Sequence, residues 1–297
     1  MATTAAQPEK KKPEAWKSFV AGGSAGAIEG VITYPFEFAK TRLQLVDKSS
    51  TASRNPLKLI ANTAKTQGVS TLYTGCGAFV IGNTVKAAVR FLGFDSIKQA
   101  LRDENGELSK TRGVIAGLGA GVLESVVAVT PFETIKTAMI DDRQRAQPKY
   151  QGLIQGTTRL IKDKGFSGIY RGLVPVTMRQ AANQSVRLGS YNAMKTLIQE
   201  SKVDKNAPLS SIETFAVGAV AGIITVYTTM PLDTVKTRMQ SLEAKNLYSG
   251  TLNCFYKIFK EEGVITFWKG ATPRLGRLIL SGGIVFTIYE KIMLVLN

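Results

Sequence analysis

Three acid–base pairs recur in this chain at one spacing. Glu37 with Lys40, Glu133 with Lys136 and Asp233 with Lys236 stand two and five residues after Pro35, Pro131 and Pro231. Residues three apart share a helix face, so each acid is presented beside its base. The chemistry open to such a set is ion pairing: three helices brought together would close a ring of three carboxylates and three lysines. A second set is cationic. Counting back from Asp95, Asn192 and Glu290, thirteen residues lead to Gly82, Arg179 and Arg277, nine to Lys86, Asn183 and Ser281, and five to Arg90, Arg187 and Val285. Steps of four keep these positions on one helix face, over about 12 Å of rise. With Arg274 this set holds six cations inside apolar runs, where Glu29 and Glu124 are the obvious carboxylate partners. Surplus charge is costly at such depth, and an anion with several carboxylates or phosphates is its natural counter-charge. Bidentate contacts to such an anion explain arginine over lysine at most of these places. The competing reading, snorkelling or structurally paired side chains, suits helix ends better than positions roughly 20 Å below them.

The elements that must position these residues come from a repeat. The three prolines recur after 96 and 100 residues, each preceded by an apolar, glycine-containing run of about membrane-spanning length. A proline inside such a helix kinks it and leaves the acid–base pair beyond the kink, near the end of the span. A second landmark follows each time: Tyr73-Thr74-Gly75, Tyr170-Arg171-Gly172 and Trp268-Lys269-Gly270, a short distance after Gly68, Gly165 and Gly263. The first span is predicted over Trp16–Leu45, and the even spans over Cys76–Leu101, Leu173–Gln199 and Ala271–Leu296. Amphipathic stretches near Leu57–Thr66, Leu153–Lys162 and Thr251–Glu261 read as interfacial surface helices. Short polar linkers, Asp103–Thr111 and Ser201–Ser210, separate the repeats. Gly22 with Gly26, Gly117 with Gly121 and Gly218 with Gly222 let odd helices approach neighbours closely. Gly121 lies ten residues before its proline, whereas Gly26 and Gly222 lie nine before theirs. The extra residue predicts a local bulge and makes Glu29 and Glu124 equivalent, each expected to pair with a cavity arginine.

Composition narrows the function. A hydrophobic fraction of 44% and a mean hydropathy of +0.03 are low for helices facing lipid all round, and fit helices that also line a polar cavity. The formal net charge of +16 is compatible with nucleic acid, anionic membrane or anionic substrate, but cations placed within apolar spans argue against nucleic acid. With no histidine, His-based acid–base catalysis and histidine metal sites are excluded. Cys76 and Cys254 are too few and too isolated for a disulfide framework or a metal site, and are expected to be inert buried thiols. No metal and no cofactor is expected. The GLGAG run from Gly117 resembles a piece of a dinucleotide fingerprint, yet it sits in an apolar helix with no preceding strand. Residues 1–15 are polar, lack a secretory core and read as a disordered tail. The remainder, 16–297, reads as one domain of repeats 16–105, 106–204 and 205–297. Six spans put both termini on one side, and the basic long loops, with Lys48, Arg54, Lys58, Lys65, Arg143, Arg145, Lys149, Arg159, Lys162, Lys257 and Lys260, lie together on the other, the inner side by the positive-inside rule.

The threefold proline motif and second landmark resemble the mitochondrial carrier family along nearly the whole chain. The resemblance implies an all-α membrane protein of six tilted transmembrane helices in three pseudo-symmetric repeats, with short matrix-side surface helices around a central water-filled cavity. It implies a matrix gate pairing Glu37 with Lys136, Glu133 with Lys236 and Asp233 with Lys40, braced by Gln44 and Gln240, with Ile140 unable to hydrogen-bond at the third brace position. It implies a second gate at the cytosolic mouth, in which Asp95 pairs with Lys195 and Glu290 with Lys98. Asn192 and Met293 depart from the family pattern and remove the third pair.

Arg179-Gln180 at the second-repeat contact point resembles the carboxylate-carrying branch. KAAVRF from Lys86, SVRLG from Ser185 and PRLGR from Pro273 are similar to members that carry tricarboxylates. The implied activity is exchange of citrate for malate or another tricarboxylate across the inner membrane, with both termini in the intermembrane space. Lys86, Arg90, Arg179, Gln180, Asn183, Arg187, Arg274 and Arg277 are the expected substrate contacts. The expected partners are those carboxylates and membrane lipids such as cardiolipin, with the monomer as the working unit. A dicarboxylate or oxoacid carrier using the same cations is the alternative, followed by an NAD-linked membrane enzyme built on GLGAG and a passive anion channel.

Overall fold

Six apolar stretches become six long helices in the computed structural model, which describes residues 15–45, 55–102, 109–145, 147–150, 152–202 and 209–296. The predicted tail to residue 14, Lys48, Arg54 and most of both linkers lie outside these residues. The long helices are α1 (Ala15–Leu45), α3 (Cys76–Ala100), α4 (Lys110–Glu124) continued through a π turn into α5 (Thr130–Asp142), α7 (Leu173–Glu200), α8 (Ser211–Met239) and α11 (Ala271–Leu296). Surface helices α2 (Pro56–Gln67), α6 (Leu153–Lys164) and α10 (Thr251–Lys257) follow each proline motif, with a one-turn α9 (Ala244–Leu247) before the last. No strand occurs among the described residues.

Local chemistry sets the ends. Asn55 caps α2 with Pro56 at its start, and Ser210 and Glu213 form a reciprocal capping box on α8. The linker Asp103–Thr111 proves shorter than expected, because Ser109 caps α4 and Lys110 and Thr111 are already helical. Pro35 and Pro231 lie inside unbroken helices. Thr33, Thr41, Thr225 and Thr229 bond back to carbonyls four residues earlier, an arrangement that helps bend helices near a proline. The π turn, Ser125–Val129, falls between Gly121 and Pro131 and absorbs the extra residue seen in the sequence.

Each repeat turns from its surface helix into its even helix through a 3₁₀ turn flanked by glycines at positive φ: Gly68 and Gly75, Gly165 and Gly172, Gly263 and Gly270. The second glycine of each pair is needed twice over. A Cβ on Gly75 would meet Lys136 Cγ at 3.1 Å, one on Gly172 Gln240 Cγ at 3.1 Å, and one on Gly270 the Lys40 carbonyl at 3.1 Å. The start of every even helix therefore docks on the next acid–base helix around the ring.

Packing closes one end only. Around the bundle, α1 packs most extensively on α11, α4 on α3 and α8 on α7. Buried apolar clusters gather beyond the prolines, around Tyr34, Phe38, Leu72 and Ile140, around Met139, Tyr150 and Leu160, and around Met239, Cys254 and Phe267. In α7 after Val176 and in α11 after Pro273 no described residue is fully buried. Outward apolar side chains such as Ile32, Leu118, Phe215 and Ile279 are exposed, as a lipid-facing surface requires. Three of the six spans, within Ile115–Asp142, Ile212–Met239 and Val264–Val295, are apolar enough to register as membrane-crossing on composition alone. In α3 and α7 the cavity-facing cations and amides lower that signal.

Candidate functional site

At the closed mouth the three acid–base helices bring their charges together as the spacing predicts. Lys136 Nζ lies 2.7 Å from Glu37, Lys236 Nζ 3.1 Å from Glu133 and Lys40 Nζ 2.5 Å from Asp233. Within their own helices Lys40 also reaches Glu37 at 3.7 Å and Lys236 reaches Asp233 at 3.1 Å. Asp233 is fully buried and the three lysines nearly so. Gln44 donates to Asp233 at 3.5 Å and accepts from Thr237 at 2.8 Å, bridging α1 to α8. Gln240 accepts from Thr137 at 3.4 Å, bridging α8 to α5. Ile140 makes no such bond and packs instead with Tyr34, Phe38 and Leu72.

Above this ring the cations descend into it, so that the ring carboxylates join Glu29 and Glu124, the expected partners, in pairing with them. Arg277 reaches Glu37 at 3.2 Å, Glu29 at 3.5 Å and Thr33 at 3.2 Å, and stacks over Phe79 with its guanidinium 4.7 Å from the ring centroid. Arg179 lies 3.5 Å from both Glu133 and Asp233, and its Nε has no hydrogen-bond partner. Arg274 lies 3.8 Å from Asp233 and donates to Asn183 at 3.2 Å. The ring carboxylates thus serve two tiers of cations. Spacing along one helix could not reveal this, because it fixes faces and not cross-helix depth.

The upper tier has its own acid. Glu124, buried immediately before the π turn, lies 3.4 Å from Lys86 and 3.7 Å from Arg90, and accepts from Gln180 at 2.6 Å. Gln180 and Asn183, expected to face a ligand, are therefore engaged by protein groups in this structure. Phe79, Gly82, Lys86, Phe132, Glu133 and Lys136 line a small pocket in the same wall. Arg187 is exposed and has no ion pair among the described residues. Between the two mouths stand nine cations, Lys40, Lys86, Arg90, Lys136, Arg179, Arg187, Lys236, Arg274 and Arg277. Against them stand five carboxylates, Glu29, Glu37, Glu124, Glu133 and Asp233. Positive charge is in surplus even with the ring carboxylates counted.

At the opposite mouth Asp95, Lys98, Lys195 and Glu290 form no ion pair among the described residues, so the structure does not bring those expected pairs together. Cys254 is buried, and burial pushes its thiol up to about 12. Cys76, expected to be buried, is only half-buried at the start of α3.

A three-repeat helical bundle around a cation-lined cavity, sealed at one mouth only, has the architecture of a membrane carrier. The chain matches the mitochondrial carrier protein family over residues 11–105, 106–202 and 207–297, and it belongs to that family. It is 69% identical over 285 residues to the tricarboxylate transport protein of Saccharomyces cerevisiae, covering 94% of this chain and 95% of the yeast one. It is 48% identical over 291 residues to mitochondrial citrate transporter A of Aspergillus niger, covering 98% and 95% of the two chains. It is 40% identical over 300 residues to the mitochondrial tricarboxylate transport protein of Mus musculus, covering 100% and 96%. Membership makes the protein a multi-pass transporter of the mitochondrial inner membrane.

Proposed function

We propose that the protein exchanges citrate, or a similar tricarboxylate, for malate or another tricarboxylate by alternating access. The observation that carries this reading is the unbalanced cavity, nine cations against five carboxylates, with Arg187 in no ion pair among the described residues and Arg179 Nε without a hydrogen bond. A polyanion supplies the missing charge, and guanidinium groups grip carboxylates in bidentate fashion. Arg179, Arg274 and Arg277 would hold the deep end of the ligand, with Lys86, Arg90 and Arg187 toward the open mouth and Gln180 and Asn183 released to hydrogen-bond it. The names of the relatives support a tricarboxylate over a dicarboxylate or oxoacid, which remains the alternative.

In this reading the sealed ring is the matrix gate, both termini face the intermembrane space, and Asp95 with Lys195 and Glu290 with Lys98 pair when the cytosolic mouth closes. A sealed mouth argues against a passive anion channel. GLGAG lies within helix α4, where the backbone amides are used along the helix, which argues against an NAD-linked enzyme. The three repeats act as one unit, a single chain in a lipid shell that includes anionic lipid. Reconstitution of the purified protein into liposomes tests the reading. Labelled citrate should enter only vesicles preloaded with citrate or malate. Uptake into empty vesicles at the same rate, or no citrate exchange at all, would refute it.

A further inference from the structure

Beneath the ring, on the sealed side, α5, α6 and the Phe166–Tyr170 turn face the end of α8 and α9 across a cavity of about 180 Å³. Its wall carries three cations, Lys164, Arg171 and Lys245, and no carboxylate. Lys164 donates to the Leu242 carbonyl at 2.5 Å and Arg171 to the Tyr248 carbonyl at 3.3 Å. These bonds fix both cations in place without neutralising them. Lys245 has no hydrogen bond or ion pair among the described residues. Two further groups of the same wall are unsatisfied although buried, the Gln240 amide nitrogen and the Thr134 hydroxyl, whose residues are 2% and 4% exposed. Buried polar atoms of this kind normally have partners.

The two halves of this wall come from different repeats and are stitched by polar contacts. Leu242 N donates to Asp141 at 2.8 Å, and Arg145 meets Glu243 at 3.1 Å. Lys164 and Lys245 are exposed and solvated, so an anion here would replace water around them while also satisfying the orphaned amide and hydroxyl. The cavity is roomy enough for several waters or for the carboxylate end of a small organic acid.

We propose that this cavity is an anion site on the sealed side, separate from the central cavity, where a small polycarboxylate is held by Lys245, Lys164 and Arg171 and hydrogen-bonded by Gln240 and Thr134 before the ring opens. Gln240 is also the brace between α8 and α5, so the occupant touches the ring itself. The identity of the anion as a carboxylate rests on the exchange activity proposed above, whereas the existence of the site does not.

Lysine acetylation of the full-length protein, read residue by residue by mass spectrometry, tests the site without transport. Saturating citrate should slow modification of Lys245 about fivefold relative to Lys260, which lies outside the cavity, the protection expected of one partly exposed charged contact. Inorganic phosphate alone should protect in the same direction. Equal Lys245 rates with and without both anions would overturn the proposal. In proteoliposomes, Lys245→Gln should raise the half-saturation for citrate offered from the sealed side by about fivefold, with the half-saturation at the opposite face unchanged. No shift at either face, or an equal shift at both, would overturn it. Absence of citrate exchange in the unaltered protein would refute the proposed function, and phosphate protection of Lys245 would still decide the site.

Discussion

Asp233→Asn is the sharpest perturbation the ring offers. Asp233 is fully buried and gathers Lys40 at 2.5 Å, Lys236 at 3.1 Å, Arg179 at 3.5 Å and Arg274 at 3.8 Å. Asparagine keeps the shape and removes the charge, leaving four cations around a neutral amide. Removing one partner of a buried ion pair costs about 3–5 kcal/mol, because the remaining charge is uncompensated. The closed ring should lose about two to three and a half powers of ten in population against states in which those cations reach water. Gln44→Ala removes one good hydrogen bond, the 2.8 Å contact with Thr237, and two long ones, worth about 1 kcal/mol net. The ion hub must therefore outweigh the brace. Thermal unfolding in detergent reads the difference. For a chain of this size each kcal/mol shifts the midpoint by about 2–3 °C, so Asp233→Asn should fall by about 6–15 °C and Gln44→Ala by a few degrees. Citrate exchange should collapse in the first and persist in the second. An Asp233→Asn protein with unaltered midpoint and exchange would refute the reasoning, as would a larger loss from Gln44→Ala.

Glu133→Lys combined with Lys236→Glu should recover more exchange than Lys236→Glu alone but stay well below the unaltered protein, because Glu133 also faces Arg179 and Lys236 also faces Asp233; no recovery, or full recovery, would contradict this network. Arg179→Lys and Arg277→Lys keep charge but lose the bidentate fork, so both should weaken citrate/citrate exchange about tenfold and malate/malate exchange less, and both should lower the thermal midpoint, since Arg277 ties α11 to α1 through Glu29, Thr33 and Glu37 and Arg179 ties α7 to α5 and α8 through Glu133 and Asp233. Asn192→Asp with Met293→Lys supplies the third acid and base of the proposed cytosolic gate and should shift the resting population and slow turnover, and unchanged kinetics with an unchanged resting state would count against a gate there. Maleimide at pH 8 should label Cys76 and spare Cys254, whose thiol is held neutral far below its raised value, and labelling of Cys254 at a comparable rate would contradict its burial.

Much of the fold was legible because one unit is written three times. A repeat turns a weak motif into a register, and that register placed the even helices to within a residue at their ends. The single-residue offset between Gly121 and Pro131 foretold the π turn, because a helix absorbs an insertion where it falls. The ring pairs were readable as faces, and their cross-helix partners came with the family resemblance. Hidden from the sequence was depth across helices. Arg179, Arg274 and Arg277 lean onto carboxylates of other helices, and Gln180 and Asn183 turn to Glu124 and Arg274. The second landmark also carries a packing signal. Gly75, Gly172 and Gly270 each stand seven residues after Gly68, Gly165 and Gly263, and a glycine kept at one offset marks a close backbone approach, here to the next acid–base helix.

The second repeat is where the threefold pattern breaks, and the break does not weaken the seal. Gln44 spans α1 to α8 and Gln240 spans α8 to α5, whereas the α5 to α1 seam has Ile140 in the equivalent place. Judged by hydrogen bonding alone, that seam lacks a brace. Yet a net hydrogen bond contributes about 1 kcal/mol, since water replaces it when the seam parts. A fully buried isoleucine contributes about 1.5–3 kcal/mol that water does not replace. Ile140 has no exposed surface and packs on Tyr34 and Phe38, while Tyr34 is anchored by a 2.6 Å bond to the Thr74 carbonyl. Lys136 adds the 2.7 Å contact with Glu37 and lies over the Phe79 ring. The seam without a glutamine is thus sealed by apolar burial around one short ion pair, and because that pair and those of its two neighbours are buried, all three seams should hold in high salt, which screens exposed charges.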